Sequence, residues 1–138
     1  MKTTKTTYDA EFFAINDTDL HGEIIRLAPA YSRVIFELAQ AKIAKTNATT
    51  MLRRARAELE LELRAQLSAD GEKVTEARVA MMLAVMPSLQ ALEDEELAAE
   101  NAYVMAQAVV DSFAKKKDLV VSLAGLARAE IETVRATR

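Results

Sequence analysis

The sequence predicts an all-α protein. The expected form is an elongated antiparallel helical hairpin of two long helices with a short connector helix and an N-terminal arm, assembling as a homo-oligomer. Turn formers are scarce, with three glycines and two prolines in 138 residues, whereas a sandwich or barrel shows a turn signal roughly every 8–12 residues. Apolar residues make up 51% of the chain, and in the second half they recur with the 3.5-residue spacing of a coiled-coil seam. The uninterrupted helical stretches run to about 38 and about 47 residues, or ~57 and ~70 Å at ~1.5 Å per residue, against a radius of gyration of ~14 Å for a compact domain of this length. A two-helix hairpin has little interior, so a chain this apolar leaves surface exposed unless it pairs with copies of itself.

The division expected is a partly disordered arm over residues 1–28 and the hairpin over 29–138. Residues 1–7 lack apolar periodicity. Tyr8, Phe12, Phe13 and Ile15 form a small apolar cluster, and Asn16-Asp17-Thr18-Asp19 reads as a turn or N-cap signal. Leu20, Ile24, Ile25 and Leu27 offer a further short face, so the region reads as an arm that packs on something larger. Pro29 fits the first position of the first long helix, where a missing N–H costs nothing. Tyr31, Val34, Ile35 and Leu38 form one apolar stripe and Leu52, Ala55, Leu59 and Leu63 another. The helix should end at Ser68-Ala69-Asp70-Gly71, with glycine in the left-handed cap. Thr75 can cap a short helix from Glu76 to about Met86, and Pro87 opens the second long helix. Its seam runs through Leu89, Leu92, Tyr103, Val110, Phe113, Val120 and Ile131; only Glu96 and Lys117 break the apolar spacing.

Several function classes are disfavoured. The chain has no cysteine and a single histidine, so thiolate chemistry, disulfides and His-rich zinc centres are not expected. No Gly-x-x-x-x-Gly-Lys loop or Gly-x-Ser-x-Gly elbow occurs, and no cofactor is expected. Neither a membrane span nor a secretory signal is expected, which points to the cytoplasm, that of the bacterial host if the chain is phage-encoded. Eighteen basic and 21 acidic residues leave a net charge of −3, so there is no global pull on nucleic acid and local clusters matter more.

A hairpin register that sets Arg64 beside Leu89 brings Arg53, Arg54 and Arg56 near Glu100, Ala99 and Leu97, one turn from the acidic run Glu93 to Glu96. Those residues read either as a salt-bridge network that fixes register or as cations available to a ligand. The same register places Lys42, with Lys45, near Lys115, Lys116 and Lys117, a patch that could track phosphates or simply be solvated. No aromatic is interleaved with these cations in sequence, so contact to backbone rather than base stacking is expected. A carboxylate metal site from Glu58, Glu62, Glu93 and Glu96 lacks the Glu-x-x-His element of di-iron bundles.

The arrangement resembles the UvsY-type recombination mediators of bacteriophages over about residues 10–130. The residues that carry the likeness are Ile15 to Leu20 followed by Pro29 and Tyr31, the basic stretch Met51 to Leu59, Lys73 to Val79 at the connector, and Tyr103 through Leu123. The resemblance implies a ring-like homo-oligomer that binds single-stranded DNA and helps a RecA-like recombinase load where a single-strand-binding protein already sits. It implies DNA contacts by Arg53, Arg54 and Arg56, supplemented by Lys42, Lys45 and Lys115 to Lys117. The rival expectation is a coiled-coil scaffold or interaction protein, a phage assembly factor or inhibitor, that binds protein instead of DNA. In neither reading is the chain an enzyme; a carboxylate metal enzyme ranks third.

Overall fold

The computed structural model describes residues 8–137. The segment expected to be disordered, residues 1–7, lies outside them. The chain is all-helical, with no strand among the described residues. Helix α1 spans Ala10–Phe13, a 3-10 turn spans Asp17–Asp19, and then come α2 (Leu20–Ala69), α3 (Glu76–Ala84) and α4 (Pro87–Ala136). None of them is long and apolar enough to cross a membrane.

Helix α2 begins nine residues before the expected start, and Pro29 lies inside it. The polar turn provides the reason. The Asn16 side chain accepts from the Thr18 N–H, and Asp19 Oδ1 accepts from the Gly22 N–H at 3.0 Å, so the first free donors of the helix are satisfied here. Glycine at 22 permits it, since a Cβ there would come within 2.1 Å of the Asp19 carboxylate. Pro29 then removes one helical N–H that a capped helix can forgo. The expected boundary between residues 28 and 29 therefore falls within a continuous helix.

The other ends match the sequence reading. Gly71 takes φ = 71°, with the Glu72 N–H bonded to the Leu67 carbonyl at 2.9 Å and the Gly71 N–H to that of Ser68 at 3.2 Å, the double bond of a glycine-terminated helix. Thr75 caps α3 by accepting from the Arg78 N–H. Pro87 is the first residue of α4.

Two compact units make up the chain, one of Met1–Leu38 with Met105–Arg138 and one of Ala39–Val104. In the first, Val34, Val110 and Phe113 form the buried core, and Tyr8, Phe12, Phe13, Leu27, Ala30, Leu38 and Val109 pack on it. The arm thus packs as expected, on α2 and α4. Phe113 lies between the rings of Phe12 and Tyr31, at 5.6 and 5.8 Å. In the second unit Leu63, Leu67, Val79 and Leu89 are buried, drawn from all three of its helices. The Arg64 guanidinium joins Glu60 of α2 to Glu76 of α3, both at 2.8 Å, and Arg78 pairs with Glu72 in the connecting turn.

Of the expected seam, Leu89, Val110, Phe113 and Val120 are buried and Leu92 and Tyr103 half-buried, whereas Ile131 is 55% exposed. Its covered length ends near Ala127, because every described residue from Arg128 on is exposed.

Candidate nucleic-acid interface

In the Ala39–Val104 unit, the α2 and α4 segments run antiparallel and are joined by a ladder of polar contacts. Lys45 Nζ reaches Glu100 at 2.6 Å, the Thr49 hydroxyl donates to Glu96 at 2.7 Å, and Arg56 Nη2 reaches Glu93 at 2.8 Å. The register differs from expectation by one to two turns: Glu100 faces Lys45 instead of Arg53, and Arg56 faces Glu93 instead of Leu97. Apolar spacing repeats every turn or two and fits several registers, so the ion pairs and the α3 connector select among them. Lys45 also lies 4.8 Å from the Tyr103 ring centre.

Three cations of this unit's α2 segment have no ion-pair partner among the described residues. Lys42, Arg53 and Arg54 are exposed, and none has a carboxylate within 4.0 Å among the described residues. Lys42, Thr46, Thr49 and Arg53 recur at steps of four, three and four, which sets them along one flank of α2. Lys42 and Arg53 are then ~16 Å apart along the axis. Arg54 is turned to another side of the helix by the ~100° step between neighbours.

In the other unit, the lysine run divides residue by residue. Lys115 is exposed and unpaired among the described residues, and Lys117 is exposed beside Asp118 at 3.7 Å. Lys116 corrects the expectation of a phosphate contact. Its side chain is 12% exposed, pairs with Glu23 at 3.3 Å and donates to the Phe12 carbonyl at 3.0 Å. It, rather than Lys117, is turned inward between Phe113 and Val120, on the side of α4 where Glu23 and the Phe12 carbonyl lie.

Glu23 is the buried charge of the described chain, at 6% exposure. Burial pushes its carboxyl up, but the Asn16 N–H, then Lys116 and Arg26, outweigh that and hold it below the usual carboxylate value. Two carboxylate oxygens in a helical turn gave no sequence signal for this role; it follows from where the arm returns. Further along α2, the Tyr8 hydroxyl donates to Glu37 at 2.5 Å, and burial first, then that carboxylate, raises its pKa. Arg33 lies 5.1 Å from the Tyr8 ring centre and 5.7 Å from that of Phe12. Cations and aromatics are thus neighbours in space at Tyr8, Phe12 and Tyr103, although they are not interleaved in sequence. These rings are held in intramolecular contacts.

Among the described residues no three His, Asp or Glu side chains converge in a way that could hold a metal ion. Glu93 and Glu96 of the metal reading accept instead from Arg56 and Thr49. His21 is exposed on the first turn of α2. No protein-family model matches the chain, and neither a curated protein nor a solved structure shows significant similarity to it.

Proposed function

We propose that this chain is a non-enzymatic, self-associating helical protein that binds the phosphate backbone of single-stranded DNA and helps load a RecA-like recombinase beside a single-strand-binding protein, as its resemblance to the UvsY-type mediators implies. The observation that carries the nucleic-acid part is the exposed flank of α2 on which Lys42 and Arg53 stand clear of the Glu93–Glu100 ladder, with the Thr46 hydroxyl between them. One such flank is a weak site; copies of it in a ring would add by multivalency. Of the other cations named for this role, Arg54 and Lys115 also have no ion-pair partner among the described residues, and Lys45, Arg56 and Lys117 are half-engaged.

Self-association is supported by large apolar side chains left in solvent along both long helices, among them Phe36, Ile43, Leu61, Leu97 and Met105 at 60–70% exposure. A monomer of 15.2 kDa with that surface is expected to assemble.

The test is fluorescence anisotropy of a labelled single-stranded oligonucleotide across a salt series, with a duplex control. Binding should prefer the single strand and fall with salt at a slope of roughly −0.7 per phosphate contacted. Replacing Lys42, Arg53 and Arg54 together with alanine should flatten the slope while leaving helical content unchanged. Absent or salt-independent binding at low ionic strength sinks the proposal.

A second reading, a scaffold that binds protein and not DNA, is favoured by one specific observation: Lys45, Arg56 and Lys116 are paired with Glu100, Glu93 and Glu23 in the folded chain. A protein partner retained after nuclease treatment, with no shift of any oligonucleotide, would select it.

A further inference from the structure

The last turns of α4 are left open to solvent among the described residues. Every residue from Arg128 to Thr137 is exposed, yet the apolar spacing continues, with Ile131 at 55% and Val134 at 57% exposure. A shallow groove forms where this end passes the start of α2, walled by Leu20, Ile24, Ala124, Ala127 and Ile131.

The charges beside this stripe specify what covers it. With Ala124 and Ile131 at the a positions and Ala127 and Val134 at d, the flanking e positions are Arg128 and Arg135, and Glu130 is at g. When two identical helices pair in parallel, each g residue faces the e residue five places later on the other helix. Glu130 then faces Arg135 of the second copy, twice over by symmetry. An antiparallel pair sets e against e and g against g, which brings arginine to arginine and glutamate to glutamate. We infer that the 124–137 end of α4 is a docking surface for the same segment of a second copy, aligned in parallel and selected by reciprocal Glu130–Arg135 pairs.

This rests on the self-association proposed above and gives it a direction: the two copies must present their α4 ends side by side and pointing the same way. The apolar contact is short and contains alanines, so charge sign rather than buried area decides the alignment.

The chain has no cysteine, so a single introduced thiol reports on alignment. Val134→Cys should form an intermolecular disulfide under mild oxidation, because parallel pairing places the d positions of two copies together. Glu130→Arg and Arg135→Glu should each raise the concentration at which the assembly dissociates, roughly threefold to tenfold, and the two combined should restore it. Circular dichroism must show unchanged helix, as expected for exposed sites. Cross-linking only when Val134→Cys is mixed with Ala124→Cys, the a position that an antiparallel pair sets against this d position, would show antiparallel ends and overturn the inference. An oligomer by light scattering with no Val134→Cys cross-link would overturn it too, while leaving self-association intact. A monomer at all concentrations would remove both.

Discussion

The Glu23–Lys116 pair ties the start of α2 to the middle of α4 and, through the Phe12 carbonyl, holds the arm against both. Removing one member leaves the other charge buried alone, a loss of about 3–5 kcal/mol. Replacing both with apolar residues of similar size should cost much less, and a double-mutant cycle by urea denaturation would measure the difference. Glu23 also sets a pH dependence, since burial raises its carboxyl pKa but the Asn16 N–H, then Lys116 and Arg26, outweigh that. The carboxyl is held below its ordinary 4.5 in the folded chain, so the unfolded chain binds more protons between the two values and stability rises with pH there. The contribution is whole above about 4.5 and is lost as pH falls through the folded-state value. Glu23→Gln should abolish that acid-side component of the stability profile. Phe113, 1% exposed and in contact with rings on both sides, should cost about 3–5 kcal/mol on truncation to alanine.

Helix ends and interruptions respond to different substitutions. Thr75→Ala removes the acceptor for the Arg78 N–H and should destabilise the unit that contains α3 by about 1 kcal/mol. Pro29 is the opposite case. It lies inside α2, where proline is worth up to ~3 kcal/mol less than alanine, so Pro29→Ala should raise the thermal midpoint; an unchanged or lower midpoint would mean that the ring makes packing contacts worth as much. The position of Pro29 also explains why α2 starts where it does. Proline signals a helix start only when no stronger cap precedes it, and Asn16 with Asp19 is such a cap. Gly71, Thr75 and Pro87 were legible because each acts locally, through φ, a side-chain oxygen or a missing donor.

For the assembly, static light scattering should give a mass that is a multiple of 15.2 kDa, with Ile131→Lys reducing it if the α4 end contributes. DNA binding should weaken with that loss of mass, since isolated flanks bind without multivalency. An Ile131→Lys variant that remains fully assembled and fully active in binding would place the interface elsewhere, on faces such as those carrying Phe36 or Leu61.

Helix class, most helix termini and the inward residues Leu89, Val110, Phe113 and Val120 were readable from the amino acids in order, because propensity, capping and periodicity act over one to four residues. The destination of each charge was not. Lys115, Lys116 and Lys117 are identical in sequence, yet only Lys116 is turned inward, onto a glutamate far along the chain and an arm carbonyl. The same holds for Lys45, engaged by Glu100 and Tyr103, and for Lys42 three residues earlier, which stands clear. Register separates them: one turn of sliding between two helices keeps an apolar stripe matched to its partner but exchanges every ion pair beside it. That choice rests on contacts between residues remote in sequence, and packing of the folded helices makes it.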